Sequence, residues 1–456
     1  MLRAPASHEG IDADFLSNLD INIMCEAIFP CLERLTDIVN LSHTSKHLRS
    51  SIFCGRTSTI WSSYPLDICI DPVCTFGCGR VSIKPSLAWL ILRSTSIVTV
   101  RVHLPFSSLC CLLKAILENK LNALRHVHLR FRSDDDSSSV ASMHLLDREV
   151  SSIPIRRINV GHLTIYGYPS PYVPTGALDT LLQIFGLSLK TLQLMETSPV
   201  YLLSMLRMNV CPNLTNLTIQ GKQVITDLLD LQCDSLRSLS LLETGVRLGS
   251  GRGKLSILQF RNLVKLELVD KLETTNLLWQ TEQDIVDGIS VLPTSLRELE
   301  LRIDSRLANA TIIELSKRLK NLEDLRLQLP DRDELGPDDI STSAIAALRH
   351  GCPRLSLFET TDGLIGIEVD AFISLKEFRC LRKLKVLYDD NIVDALPKLL
   401  EESSSNSLDD VQFYENAGEI LEDDGATRWN AMEERLAKIS AIFTCVNIGL
   451  SDCEWT

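Results

Sequence analysis

A six-residue pattern of apolar positions recurs along most of the chain. Its clearest instance is Leu214-Thr-Asn-Leu217-Thr-Ile219, with apolar residues at positions 1, 4 and 6. The pattern occurs thirteen times at intervals of 22 to 35 residues, about 29 on average, which indicates a repeat architecture. The instances begin at Ile97, Leu124, Ile155, Leu189, Leu214, Leu236, Leu263, Leu296, Leu322, Leu355, Leu381, Leu408 and Phe443.

Each instance predicts a short β-strand. Strand side chains alternate between two faces, so positions 4 and 6 point into a core and positions 3, 5 and 7 point to the opposite face. A strand followed by a helix at this period predicts an α/β fold, a curved leucine-rich-repeat solenoid with a parallel inner sheet and outer helices. Apolar spacing typical of helices occurs over 107–119, 201–210, 309–320, 341–350 and 426–442.

The N-terminal 55 residues have a different pattern. Residues 1–14 are small and polar, which predicts disorder. From Leu19 to Ile52 the apolar residues recur at helical spacing, with Ile23, Ala27 and Leu32 on one face. Three short helices in roughly 35 residues bury too little area to be very stable alone, which predicts a partner surface.

This helical region resembles an F-box over residues 15–55. The chain reads Ile28-Phe29-Pro-Cys-Leu32 and then Asp37-Ile38-Val-Asn-Leu41-Ser-His-Thr-Ser-Lys46-His-Leu48-Arg49. The second part matches the family pattern D-(L/I)-x-x-L-x-x-(T/V)-(S/C)-K-x-(L/W)-R. The first part departs from it, because Leu19-Asp20 stands where the family usually has Leu-Pro. With the Cys-Pro-x-Leu motif of its repeats, the chain is similar to F-box proteins with irregular, fungal-like leucine-rich repeats.

The resemblance implies a role in protein degradation. F-box helices dock on the Skp-type adaptor of a cullin–RING ubiquitin ligase, and the repeats select the substrate protein. The chain would then be the substrate adaptor of an SCF-type (Skp–cullin–F-box) complex, without catalytic residues or cofactors of its own. The docking residues would be Ile28, Phe29, Leu32, Ile38, Leu41 and Leu48, although each could instead pack inside the helical unit.

Two other functions remain open on the residues alone. The chain could be a leucine-rich-repeat scaffold with no link to ubiquitin, its N-terminal helices capping the solenoid. It could also be an enzyme or ligand receptor with a site on the inner face, although no catalytic motif of recognisable spacing occurs.

Charge and composition narrow the classes of partner. Residues 389–456 contain 16 acidic and 4 basic residues, a net charge of −12, out of −13 for the whole chain. Overall charge therefore argues against nucleic-acid binding. The sequence contains no run of about 18 uncharged apolar residues, so it does not predict a membrane span. The scattered cysteines and the absence of a signal-peptide pattern favour the cytoplasm or nucleus.

The cysteines indicate packing rather than metal binding. Cys69, Cys74 and Cys78 offer one possible zinc knuckle, and no second knuckle follows. Cys211 and Cys352, like Cys233, precede the first apolar residue of a repeat by three positions, which predicts buried thiols. We therefore expect no metal site. The predicted domains are a disordered stretch 1–14, the F-box-like region 15–55, a connector 56–95 and about 13 irregular repeats over 96–456.

The inner sheet face is the predicted substrate-binding surface. Its first repeats are rich in arginine and histidine, which predicts that an acidic or phosphorylated segment binds at Arg101, Arg130 and Arg157. The histidines would make this binding depend on pH. An ordinary solvated sheet face would also be polar, and this alternative stays open. The candidate residues are Arg101, His103, His126, His128, Arg130, Arg157, Gln193, Asn216, Thr218 and Gln220.

Overall fold

Two compact units divide the chain, residues 1–198 and residues 199–456. The computed structural model describes residues 66–69, 98–104, 113, 123–131, 158–167, 176–195, 211–221, 234–244, 246–249, 254–258, 260–269, 279, 281–303, 305–329, 339–361, 366–401, 408–414 and 425–450. The F-box-like region 15–55, and with it all six predicted docking residues, lies outside these ranges.

The first unit contains a sheet in which each strand pairs in parallel with the next along the chain. A helix, α1 (Gly176–Phe185), continues into a 3₁₀ turn (Gly186–Ser188) and leads into the fifth strand. The sheet starts inside the stretch interpreted as a connector. Its strands are β1 (Leu66–Cys69), β2 (Thr99–Leu104), β3 (His126–Phe131), β4 (His162–Tyr166) and β5 (Thr191–Met195).

The second unit repeats this plan with nine described strands, again parallel and in chain order. The strands are β6 (Asn216–Gln220), β7 (Ser238–Leu242), β8 (Lys265–Val269), β9 (Glu298–Arg302), β10 (Asp324–Gln328), β11 (Leu357–Thr361), β12 (Lys383–Leu387), β13 (Asp410–Tyr414) and β14 (Asn447–Leu450). The described helices are α2 (Glu282–Ser290), α3 (Ala308–Arg318), α4 (Thr342–Gly351), α5 (Val369–Ser374), α6 (Asp390–Glu401) and α7 (Gly425–Ile442). The predicted helices over 309–320, 341–350 and 426–442 are thus confirmed as α3, α4 and α7.

The apolar pattern has the predicted role in these sheets. In β6, Leu217 and Ile219 are at most 1% exposed, whereas Asn216 is exposed and Thr218 is half-buried. Leu217 pairs in register with Leu239 of the next strand, so equivalent leucines stack into one continuous core. Burial of each such side chain contributes about 1.5–3 kcal/mol to the hydrophobic stabilisation. Parallel strands in chain order with this pattern define a leucine-rich-repeat architecture.

The predicted repeat at Ile155 is wrong by five positions. The strand is His162–Tyr166, and Leu163 pairs with Val127. The six-residue apolar pattern of this repeat is therefore Val160-Gly-His-Leu163-Thr-Ile165. Residues before it form the turn into the strand, where Gly161 N–H donates to the Arg125 carbonyl at 2.8 Å. Both overlapping instances satisfy the apolar spacing, so sequence spacing alone does not choose between them.

The predicted repeat at Phe443 is displaced by two positions. Ile448 of β14 pairs with Val411 of β13, which occupies position 4 of its own repeat. The six-residue pattern of this repeat is therefore Cys445-Val-Asn-Ile448-Gly-Leu450. Phe443 begins the turn after α7 instead, and its carbonyl accepts a hydrogen bond from the Val446 N–H at 3.2 Å.

A series of short polar side chains links successive repeats. The residue immediately before the first apolar position is serine or asparagine in several repeats, and its side chain donates to a backbone carbonyl of the preceding repeat. Ser235 Oγ lies 2.7 Å from the Leu214 oxygen, and Ser295 Oγ lies 2.6 Å from the Leu263 oxygen. Asn321 Nδ2 lies 3.2 Å from the Thr294 oxygen. These bonds satisfy carbonyls at the turns into the strands.

Cys211 and Cys352 are buried, as predicted. The Cys352 thiol donates to the Leu319 carbonyl at 3.3 Å, and burial raises its pKa to about 12. A thiol in this environment stays protonated and acts as a small apolar group. Cys233 lies outside the described residues.

Candidate protein-binding faces

We define the open face of each unit as the sheet positions whose side chains alternate with the buried leucines. In β2 to β5 of the first unit, none of these positions carries a carboxylate. In β1, Asp67 is the register partner of Arg101, and Cys69 is the register partner of His103. The open face of β2 to β5 consists of Thr99, Arg101, His103, His126, His128, Arg130, His162, Thr164, Tyr166, Thr191, Gln193 and Met195.

The structure places most of the predicted basic residues together on this face. Arg101 pairs in register with His128, and His103 pairs with Arg130 on the neighbouring strand. The side chains of Arg101 and Arg130 are exposed, whereas the three predicted histidines are half-buried. The row through Arg101 continues to Gln193 of β5.

Arg157 lies outside the described residues, and its predicted position in a strand is corrected by the β4 register. The strand that follows β3 presents His162, Thr164 and Tyr166 instead. The sequence prediction missed His162 because the repeat was placed at Ile155. The overlapping instance at Val160 was the signal that could have found it.

His162 stacks on His126 across the β3–β4 pair. Their ring centroids lie 4.4 Å apart, and the rings are inclined by only 13°. Burial, followed by the neighbouring His126 and then Lys190, lowers the pKa of His162 below its ordinary value. His162 is therefore an imidazole whose protonation responds to a charge placed beside it.

Two further contacts order side chains on the same face. The guanidinium carbon of Arg130 lies 4.7 Å from the centroid of the Tyr166 ring, in cation–π geometry. Stacking of this kind leaves the N–H edge of a guanidinium available for a bidentate acceptor. Thr164 Oγ1 lies 3.0 Å from Gln193 Oε1 and donates to it.

The open face of the second unit begins with the predicted residues Asn216, Thr218 and Gln220. All three occupy the predicted alternate positions of β6, with Asn216 exposed and the other two half-buried. Gln220 is already engaged locally, because its Nε2 donates to Glu243 Oε1 at 2.7 Å.

Farther along, the open face of the second unit carries charges that pair with one another. Arg326 lies between Glu300, 3.6 Å away, and Glu359, whose Oε2 is 3.3 Å from the arginine Nε. The latter contact is an ion pair without hydrogen-bond geometry, since this Nε has no hydrogen-bond acceptor. Lys385 reaches Glu359 at 3.2 Å. Burial, and next the neighbouring Glu267, raises the pKa of Glu300.

Within the described ranges, no cluster of three histidine, cysteine or carboxylate residues has metal-binding geometry. The described helices also include none with the length and apolarity needed to cross a membrane. Cys74 and Cys78 of the possible zinc knuckle lie outside the described residues.

Comparison with known proteins adds no family. No protein-family model matches the chain. No curated protein matches it either. The crystal structure of the mouse RP105/MD-1 complex is similar at 12% identity and a TM-score of 0.33, over 78% of this chain and 63% of that chain. CroV588, described as a novel circular LRR protein, is similar at 12% identity and a TM-score of 0.25, over 71% and 51%. The chain thus spans less than two thirds of the length of either.

Proposed function

We propose that this protein is the substrate-recognition adaptor of an SCF-type ubiquitin ligase. Residues 15–55 dock a Skp-type adaptor and through it a cullin, and the repeats bind the protein to be modified. The chain itself performs no catalysis in this arrangement, because ubiquitin transfer belongs to other subunits of the complex.

The repeat architecture supports the part of the proposal in which the repeats bind another protein. Each unit buries the apolar side of its parallel sheet and leaves the other side lined by half-exposed polar side chains. In the first unit these side chains include two exposed arginines and four histidines on adjacent strands. An extended face of this kind is the surface that repeat proteins use to bind other proteins.

The proposed link to a ubiquitin ligase rests on the F-box-like sequence alone. The agreement from Asp37 to Arg49 is its strongest part, and short helices of the predicted length would bury too little area to be very stable alone. The competing function is a protein-binding scaffold unconnected to ubiquitin. The same open faces would serve it equally well, so only residues 15–55 separate the two functions.

Affinity capture in cells separates the two functions. The full-length chain and a variant lacking residues 15–55 are expressed with the proteasome inhibited, and the retained proteins are quantified. We expect the Skp-type adaptor and a cullin to be retained by the full-length chain and lost with the deletion. Proteins bound by the repeats should be retained by both.

A point variant controls for indirect effects of the deletion. Ile38→Asp with Leu41→Asp changes two predicted docking residues and leaves the repeats intact. As a matched control, Glu433→Lys with Glu434→Lys changes two exposed residues of α7. If the full-length chain retains no adaptor, or if the deletion alters only solubility, the scaffold function is correct instead.

A further inference from the structure

The arginines and histidines of the first unit lie close together on neighbouring strands. Arg101 lies in β2 and Arg130 in the adjacent strand β3, two residues beyond the position that pairs with Arg101. With strands about 4.8 Å apart and about 3.3 Å per residue, their Cα atoms are separated by roughly 8 Å. Alternate side chains of an extended peptide are separated by about 6.6 Å. Two long guanidinium side chains can therefore reach two carboxylates on alternate residues of one peptide.

The charges around this surface favour an acidic occupant. The open-face positions of β2 to β5 combine two exposed arginines with four histidines and no carboxylate. Asp67 of β1, in register with Arg101, is the acidic residue on the neighbouring strand. The second unit is the contrasting case, since Arg326 and Lys385 there already contact Glu359.

The stacked histidines give this surface a dependence on protonation. The groups around the His126–His162 pair are Thr99 and Arg101 of β2, His128 and Arg130 of β3 with Arg125 immediately before His126, Thr164 of β4, and Lys190 and Thr191 at the start of β5. Every ionisable group among them is cationic or becomes cationic on protonation. A carboxylate placed beside the stack would favour protonated imidazole.

We propose that the open face of the first unit binds an extended acidic segment of the partner protein. Carboxylates on alternate residues of that segment pair with Arg101 and Arg130, and the His126–His162 stack makes binding stronger as the pH falls. This inference rests on the proposed function only in that the face belongs to a protein-binding repeat. It applies equally to a ubiquitin-ligase adaptor and to a scaffold.

The direction of the pH effect follows from linkage. In the free protein the pKa of His162 is lowered, so its imidazole is neutral near pH 7. A bound carboxylate raises this pKa, so binding takes up protons. The gain in affinity develops as the pH falls through the pKa of the complex and is complete below the pKa of the free protein.

The test uses the full-length chain and a synthetic probe. The probe is a fluorescein-labelled ten-residue peptide with glutamate at alternate positions separated by serine, and its control replaces each glutamate with glutamine. Anisotropy is measured at about pH 6 and about pH 8. Because the chain has a net charge of −13, tight binding of a polyanionic peptide requires a local cationic site.

We expect the glutamate peptide to bind at least about tenfold more tightly than the glutamine peptide near pH 6, and about threefold more tightly there than near pH 8. Arg101→Glu with Arg130→Glu should abolish the preference for glutamate. His126→Gln with His162→Gln should retain binding near pH 8 and lose most of the pH dependence. Lys265→Glu with Lys383→Glu, the same charge change on the second unit, should leave binding unchanged.

Circular dichroism and the thermal midpoint establish that each variant is folded, and Arg101→Gln with Arg130→Gln replaces the charge reversal if that variant is unfolded. Equal binding of the two peptides overturns the inference, as does binding that survives the arginine changes. Exclusive binding of a phosphoserine peptide or of a single-stranded oligonucleotide also overturns it. Retention of the Skp-type adaptor is measured on the same preparations, so failure of this inference and failure of the proposed function give different results.

Discussion

At the scale of single residues, two carboxylates on the open face of the second unit share Arg326 as a neighbour and differ in their other surroundings. Glu300 is largely buried beside Glu267, and these two effects raise its pKa even though Arg326 lies 3.6 Å away and Gln328 Nε2 donates a hydrogen bond to it at 3.0 Å. Glu359 lies within 3.3 Å of Arg326 and within 3.2 Å of Lys385. The first carboxylate is therefore costly to ionise in the folded state, whereas the second is held between two cations.

Replacing each carboxylate with the isosteric amide should change stability in opposite directions. Near pH 7.5 we expect Glu300→Gln to raise the free energy of unfolding by up to ~1 kcal/mol and Glu359→Gln to lower it by about 1 kcal/mol. Because the folded-state pKa of Glu300 is raised, its stabilising contribution is present below the unfolded pKa and is lost as the pH rises through the folded pKa. The gain from Glu300→Gln should therefore disappear below about pH 4. Urea unfolding at both pH values measures these changes, and destabilisation by Glu300→Gln near pH 7.5 would contradict the expected sign.

The repeat thiols provide a second test at this scale. Burial raises the pKa of Cys352 to about 12, whereas Cys380 and Cys445 are exposed. We expect iodoacetamide at about pH 8 to modify the two exposed cysteines in the folded protein and to leave Cys352 unmodified until the protein unfolds. Peptide mass spectrometry reads out each site. Modification of Cys352 at the rate of Cys380 would mean that the thiol is not buried.

At the scale of elements, close contact between neighbouring helices restricts which residues are tolerated. A Cβ atom added to Gly351, the last residue of α4, would lie 2.1 Å from the backbone oxygen of Ser316 in α3. A Cβ atom at Gly366 would instead meet the Asp339 carboxylate oxygen at 3.0 Å, the end of a side chain that can move.

Alanine at these two glycines should therefore have different consequences. We expect Gly351→Ala to lower the free energy of unfolding by about 1–3 kcal/mol, because the two helix backbones must separate. Gly366→Ala should change it by less than ~1 kcal/mol, since reduced freedom of the unfolded chain partly offsets the contact. Thermal and urea unfolding of the two variants measure this difference, and equal effects would show that α3 and α4 are not packed this closely.

The serine and asparagine side chains between repeats give another element-scale prediction. Ser295→Ala removes the donor to the Leu263 carbonyl, and Asn321→Ala removes the donor to the Thr294 carbonyl. Each should cost about 1 kcal/mol of unfolding free energy. Asn430→Ala, an exposed position of α7, is the matched control and should change it by no more than ~0.5 kcal/mol. Equal values for all three variants would mean that these bonds do not stabilise the stacking of repeats.

The strands were more predictable from the sequence than their exact placement. An apolar pattern of this kind identifies a strand by its two inward positions, and Leu217 and Ile219 are buried as that pattern requires. Where two instances overlap, as at Ile155 and Val160, only pairing with the neighbouring strand selects one. The contact between His126 and His162 could not be predicted for the same reason, since it depends on the register of β3 with β4.

At the scale of the whole molecule, the chain combines two units whose open faces differ in chemistry. The first is rich in arginine and histidine, and the second carries carboxylates and cations that pair with each other. The pairing of charges along β9 to β12 was not evident from composition, because it depends on which residues the parallel register brings side by side.

The central proposal, docking of residues 15–55 on a Skp-type adaptor, is tested most directly with purified components. The full-length chain is titrated with the adaptor by isothermal calorimetry, alongside the deletion of 15–55, the Ile38→Asp with Leu41→Asp variant and the Glu433→Lys with Glu434→Lys control. We expect one-to-one binding by the full-length chain and the control, and loss of binding at least a hundredfold (about 2.7 kcal/mol) in the other two. Absence of binding by the folded full-length chain, or unchanged binding after deletion, would contradict the proposal.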